Sequence, residues 1–287
     1  MATMLPSILS VDVEDWFHVL DVPGAPALDT WAALPSRVEA NFHKLLDLFS
    51  ASGARGTCFF LGWVAERFPH LVKEAARRGH EIASHGYAHR LAFELSRQEF
   101  VDDARKARQI LEDIAGSPVE GYRSAGFSVT DATPWFFDGL IEAGYRYDSS
   151  VFPAAREHGG MASAARAPHR MDVAGGSLVE FPITVADLLG QALCFFGGGY
   201  LRIFPLPLIT AMADKVLREG RPVVFYIHPR EIDPTHPRVA MGLRRRFKSY
   251  VNLRTTEPKL RALLARFPVT SFRDFQARFP AAIGAVQ

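Results

Sequence analysis

Two cysteines in 287 residues are too few for a disulfide framework. Both Cys58 and Cys194 sit in apolar runs, Thr57-Cys58-Phe59-Phe60 and Leu193-Cys194-Phe195-Phe196, which reads as two buried free thiols in a reducing compartment. Met1 to Pro6 has neither a basic stretch nor a following apolar core, and no run of about 18 or more apolar residues occurs, so neither a secretory signal nor a membrane-spanning helix is expected. These absences predict a cytoplasmic protein. The formal net charge is only +2, so bulk charge provides no case for nucleic acid. The densest basic run, Arg244-Arg245-Arg246-Phe247-Lys248, has two readings: a solvated face, or a clamp for a phosphate-bearing or anionic substrate. The glycines of Phe196-Gly197-Gly198-Gly199-Tyr200 lack the strand-to-helix setting and trailing Lys-Ser/Thr of a phosphate loop, which argues against nucleotide binding. No repeat and no Ser/Gly linker divides the chain, so one domain over 1–287 is expected.

What is present is an alternation. Short β-prone runs at 7–11, 57–61, 81–84, about 121, 145–148, 178–184 and 222–227 are separated by segments with helical spacing. Val38, Phe42, Leu45, Leu46 and Phe49 form one apolar helix face, and Ser96-Arg97-Gln98-Glu99 is a capping box for the helix that runs to about Ala115. This β-α-β-α order predicts an α/β fold of parallel strands wrapped by helices. Residues 153–177, rich in Ala, Gly, Arg and His, read as a loop insertion, and 231–287 as a C-terminal extension packed on the body.

The residues with chemistry fall at strand ends. Asp12, His85, Arg123, Asp148 and His228 each follow a β-prone run, and the C-terminal ends of parallel strands share one face. His85 and His89, four apart, can converge on one side of a helical turn to hold a divalent metal. Asp12, Glu14 and Asp15 crowd the end of the first strand, where carboxylates are costly unless a cation or hydrogen-bond donors compensate. Glu14 points to the same side as Asp12, while Asp15 lies one residue further on. His18, His80, His158 and His169 are read as non-ligands.

These stretches resemble the polysaccharide deacetylase family, carbohydrate esterase family four. The resemblance runs over about residues 7–230. Ser10-Val11-Asp12-Val13-Glu14-Asp15-Trp16 is similar to its acidic first motif, His85 to His89 to its His-[Ser/Thr]-x-x-His motif, Arg123-Ser124-Ala125 to Arg-x-Pro, and Tyr226-Ile227-His228 to Leu-x-His. Gly86, Ala125 and Tyr226 depart from those patterns. Asp-Val-Glu-Asp-Trp, Tyr-Asp-Ser-Ser-Val-Phe-Pro, Gly-Gly-Gly-Tyr and Ile-His-Pro-Arg-Glu together resemble a bacterial branch associated with exopolysaccharide and surface glycans.

The resemblance implies a distorted (β/α) barrel of about seven parallel strands. It also implies a metal-dependent hydrolase that removes an N-acetyl group from a sugar. Asp12 is then the general base, held by Arg123. His228 is the general acid, with Asp148 holding its imidazole. His85, His89 and one of Glu14 or Asp15 are the ligands of zinc, with cobalt, nickel, manganese or iron accepted by the same set. With no export signal, the expected substrate is an acetylated amino sugar in a nucleotide-linked or lipid-linked glycan precursor, with peripheral membrane contact in the lipid-linked case. Two other functions fit the residues less fully: hydrolysis of a non-sugar amide or cyclic imide, and a non-catalytic glycan-binding barrel.

Overall fold

The computed structural model describes residues 5–155 and 159–285, so His158 lies outside the described residues. The first strand, β1 (Ser7–Val13), is buried throughout. It is followed by β2 (Thr57–Phe60), β3 (Glu81–Ser84), β4 (Gly121–Tyr122) and β5 (Tyr147–Asp148). A hairpin, β6 (His169–Val173) and β7 (Gly176–Glu180), comes next, then a separate two-stranded ribbon, β8 (Val185–Leu188) with β9 (Gln191–Cys194). β10 (Val224–Ile227), β11 (Val269–Thr270) and β12 (Gly284–Ala285) complete the strands. Neighbours run in the order β10-β1-β2-β3-β4-β5-β7, seven strands paired in parallel. Beyond β7 the order continues through β6, which is antiparallel, to β12. The crossovers between these strands carry helices, among them Val38–Ala51, Pro69–Arg77, Arg97–Ala115 and Phe136–Ala143. This is the distorted (β/α) barrel of the sequence reading. Part of the segment read as an insertion is regular structure, since His169–Val173 forms a strand between β7 and β12 whose exposure alternates and whose turn Gly175 adopts φ 95°.

The alternation of side chains along each strand decides what faces the barrel interior. On β1, Leu9, Val11 and Val13 pack under the helices, whereas Ile8 belongs to the inner cluster with Phe59, Ala83, Val224 and Tyr226. Asp12 follows Ile8 in register, His85 follows Ala83, and His228 follows Tyr226. The inner cluster ends in Phe272 and Phe275, from the helix Phe272–Arg278. Phe272 lies within 5.0–5.6 Å, ring to ring, of Phe59, Tyr147 and Phe181. The C-terminal extension thus pairs β11 with the start of β1 and plugs the barrel at the end opposite the chemical residues.

Candidate metal centre and active site

Asp12, at the end of β1, is buried, and its Oδ1 accepts a 2.7 Å hydrogen bond from Arg123 Nη1. Arg123 is fully buried: it also donates to Ser10 Oγ, Ser149 O and Ser149 Oγ, and its guanidinium lies 4.2 Å from the centre of the Phe59 ring. Burial alone would raise the Asp12 carboxyl. Arg123, with His85 and His228, outweighs that and leaves it below the ordinary carboxylate range.

His85 and His89 do come together, but on a loop and not on a helical turn. Gly86 adopts φ 74° and His89 φ 51°, both left-handed. A Cβ at Gly86 would meet Asp103 Oδ2 at 2.9 Å, so the hydroxyl residue common in the family has no room there. Asp103, from the helix Arg97–Ala115, accepts from the amides of Tyr87 and Ala88 at 2.8 and 3.2 Å and so fixes the loop. His85 Nδ1 is 2.7 Å from the carbonyl oxygen of Arg123. A carbonyl only accepts, so Nδ1 carries the proton and Nε2 keeps its lone pair for a metal.

The carboxylate beside the two imidazoles is Glu14. One atom each from Glu14, His85 and His89 lies within 4.8 Å of the others, and all three residues are buried. Glu14 Oε2 and His89 Nε2 are 2.8 Å apart, yet Oε2 is buried and makes no hydrogen bond. Two such atoms side by side suit a shared cation, and two His with one carboxylate form a donor set that leaves positions open. Glu14 Oε1 pairs with Arg230 at 3.2 Å. Burial raises the Glu14 carboxyl, but Arg230, His89 and His228 together hold it well below its usual value.

Asp15, the other candidate ligand, turns away. It accepts from Ser36 Oγ at 2.6 Å and from the amides of Trp16, Arg37 and Val38 at 2.8, 2.9 and 3.1 Å, and so anchors the start of the helix Val38–Ala51. His18 lines the same small cavity. Its Nδ1 accepts from the Asp15 amide at 2.9 Å, so its buried Nε2 carries hydrogen and has no lone pair for a cation.

His228 is where the sequence reading needs correction. Its Nε2 lies 3.7 Å from both Asp12 Oδ2 and Glu14 Oε1, but its Nδ1 faces Glu231 Oε2 at 3.1 Å and not Asp148. Tyr147 belongs to the inner cluster, so Asp148, next along β5, points to the other face of the sheet. There it accepts from Ser150 Oγ and the Ser150 amide at 2.6 and 3.0 Å and interacts with Glu180. Glu231 was not singled out from the sequence, although it lies three residues past His228 in Pro229–Ile232, a tight turn that brings such a pair together. Burial brings the His228 imidazole down to about 4, and Arg230 adds to this, despite the neighbouring Glu14 carboxylate. His228 is therefore neutral around pH 7.

Asp12, Glu14, His85, His89 and His228 line a cavity of about 80 Å³. Beside it, sharing Phe127, His228, Arg230, Arg245 and Ser249, opens a cleft of about 570 Å³.

A sequence model of the polysaccharide deacetylase family matches residues 28–147, and a domain of unknown function, DUF3473, matches residues 149–277. The match to the polysaccharide deacetylase family thus covers less than half of the chain. The pairing of the two domains is typical of its exopolysaccharide-associated branch. A peptidoglycan-N-acetylglucosamine deacetylase of Bacillus cereus is 36% identical over 73 residues, which is 25% of this chain and 26% of that relative's length. The chain thus spans about a quarter of that relative. Among solved structures, a Mycobacterium smegmatis protein described as a polysaccharide deacetylase has a TM-score of 0.61 at 19% identity, over 96% of this chain and 94% of its own. An allantoinase has a TM-score of 0.63 at 17% identity, over 96% and 92%. At these identities both show that the barrel is shared. Among the described residues no helix is long and apolar enough to cross a membrane.

Proposed function

We propose that this protein is a polysaccharide deacetylase family member and a metal-dependent hydrolase that removes an N-acetyl group from an amino sugar. The observation that supports this most is the buried, hydrogen-bond-free Glu14 Oε2 facing His89 Nε2 at 2.8 Å, next to an Asp12 carboxylate kept ionised by Arg123. Glu14, His85 and His89 would hold the divalent ion, with zinc the default for this donor set. When bound, such an ion supplies a Lewis acid that acidifies water and polarises an acyl oxygen.

The chain's own residues move the protons. Asp12 takes one from the attacking water through Oδ2, the oxygen not occupied by Arg123. Neutral His228 presents Nε2 3.7 Å from that oxygen, so the proton can pass from Asp12 to His228 and on to the departing amine nitrogen. Glu231 accepts from His228 Nδ1 and steadies the imidazolium that forms on the way. Asp148 has no place in this relay, and Asp15 none among the ligands.

Two buried cysteines, Cys58 and Cys194, in 287 residues favour a reducing, cytoplasmic setting, in which the substrate is a nucleotide-linked or lipid-linked glycan precursor. The test is metal content together with acetate release from N-acetylglucosamine oligomers. Wild type retains about one ion per chain and Glu14→Gln loses at least about tenfold in affinity. Full metal retention by Glu14→Gln removes the ligand assignment. Hydrolysis of small cyclic amides, with no acetate from any acetylated sugar, replaces the substrate assignment.

A further inference from the structure

We propose that Glu39, His43 and His70 form a second divalent-metal site, on the outer wall of the barrel, that clips two neighbouring helices together. It is separate from the centre at Glu14 and does not depend on the deacetylase reading. One donor atom from each of the three residues lies within 4.8 Å of the other two. Two imidazoles with one carboxylate are a donor set that zinc accepts, with nickel and copper as its competitors.

The fold accounts for the meeting of these side chains. The helix Val38–Ala51 leads into β2 and the helix Pro69–Arg77 leads from it towards β3, so the two run side by side in the same direction. Glu39 and His43 are four apart on the first helix and share one face. His70 stands in the first turn of the second, directly after Pro69. The register of the pair is fixed at its other end, where Arg78 donates to Asp47 at 2.7 Å and to Ser50 at 3.3 Å. The steps from Glu39 to Asp47 and from His70 to Arg78 are the same, about 12 Å of helix. Equal rises from one fixed end bring the three donors to the same height at the other, on rigid elements.

His70 Nε2 is already 2.8 Å from Glu39 Oε1, in an exposed pair. Such a surface pair contributes little by itself, so giving it up to an ion costs little. Around a tetrahedral zinc with bonds of about 2.0–2.1 Å, donor atoms stand about 3.4 Å apart. Small rotations of Glu39 and His70, half-exposed, and of His43, partly buried, bring the donors to that spacing. Exposed donors stay hydrated without metal, so this ion binds more weakly than one held among the buried Glu14, His85 and His89. It joins the helix whose start Asp15 anchors to its neighbour, and so braces the wall behind the inner centre.

Zinc titration of the wild-type protein, after dialysis has removed loosely held metal, tests this with zinc alone as the probe. One further ion per chain is expected, bound at least about tenfold more weakly in His43→Ala and in His70→Ala, the second of which changes an exposed side chain and leaves the fold intact. At about 100 times its dissociation constant this ion should raise the melting temperature of the wild type by roughly 5 °C, and the same zinc should not move that of His43→Ala/His70→Ala. Acetate release by the double variant should stay at the wild-type level, since neither histidine lines the cavity at Asp12. No further ion, or one bound equally by the double variant, overturns the proposal and leaves Glu39 and His70 as a surface ion pair. Glu14→Gln should bind the outer ion as wild type does. A wild type that takes up zinc only through His43 and His70 removes the inner metal centre and leaves the outer site standing.

Discussion

The barrel wall carries two buried acidic pairs, one on each face, and they behave in opposite ways. Asp12 and Glu14 face inward beside the guanidiniums of Arg123 and Arg230, and both carboxyls lie below their ordinary range. Asp148 and Glu180 face outward, where Asp148 accepts from the hydroxyl and amide of Ser150 and interacts with Glu180. Burial pushes Asp148 up to about 6 and Glu180 well above its usual value. Equal burial thus leaves the inner acids below their ordinary range and lifts the outer ones above it. A cation in contact makes the difference.

The most severe way to break this contrast is to remove the inner cation. Arg123→Met strands a buried carboxylate and is expected to cost about 3–5 kcal/mol in urea unfolding, with loss of acetate release. Adding Asp12→Asn should recover part of that stability but none of the activity. An unchanged unfolding midpoint in Arg123→Met would mean that the ion pair does not support the fold.

A buried base away from both pairs sharpens the comparison. His80 accepts the Gly56 amide on Nδ1 at 3.2 Å, and burial lowers its pKa to about 4. A histidine depressed from 6.5 stabilises the fold fully above the unfolded value and loses that contribution as pH falls towards 4. Thermal scans of the metal-free protein should therefore show a loss over that window that is larger in wild type than in His80→Asn by up to about 3 kcal/mol. Equal losses in the two proteins remove the assignment.

Asp15 separates a cap from a ligand. Asp15→Ala is expected to lower stability by about 1–2 kcal/mol with metal content unchanged, and loss of metal would return it to the ligand set. The smallest effect belongs to the outer pair. Glu180 keeps its proton above the pH at which an unfolded chain releases it, so stability falls as pH rises. Glu180→Gln should flatten that fall, shift stability by less than about 1 kcal/mol and leave acetate release intact.

The seven-strand order was legible because each strand is a short apolar run with a helical segment after it, and Asp12, His85, Arg123 and His228 because each sits just past such a run. Glu14 could be favoured over Asp15 by counting alternation from Asp12. The same count fails at Asp148: β5 is two residues long, and nothing in Tyr145-Arg146-Tyr147-Asp148 tells which tyrosine faces inward. Glu231 and Glu180 escaped for related reasons, one lying in a tight turn and the other at the edge of an apolar strand. The His85–His89 loop kept its chemistry but not its expected helical form, since Gly86 and His89 take left-handed backbone angles that a spacing cannot reveal.

The pairing of β1 with both β10 and β11 has a consequence for how the molecule is made. The strand that carries Asp12 finds two of its neighbours, and the Phe272 plug beneath it, only in segments that lie far along the chain and are made well after it. During synthesis the acids of the future site remain in water without their fixed partners. The proposed site is therefore complete only once those later segments have docked.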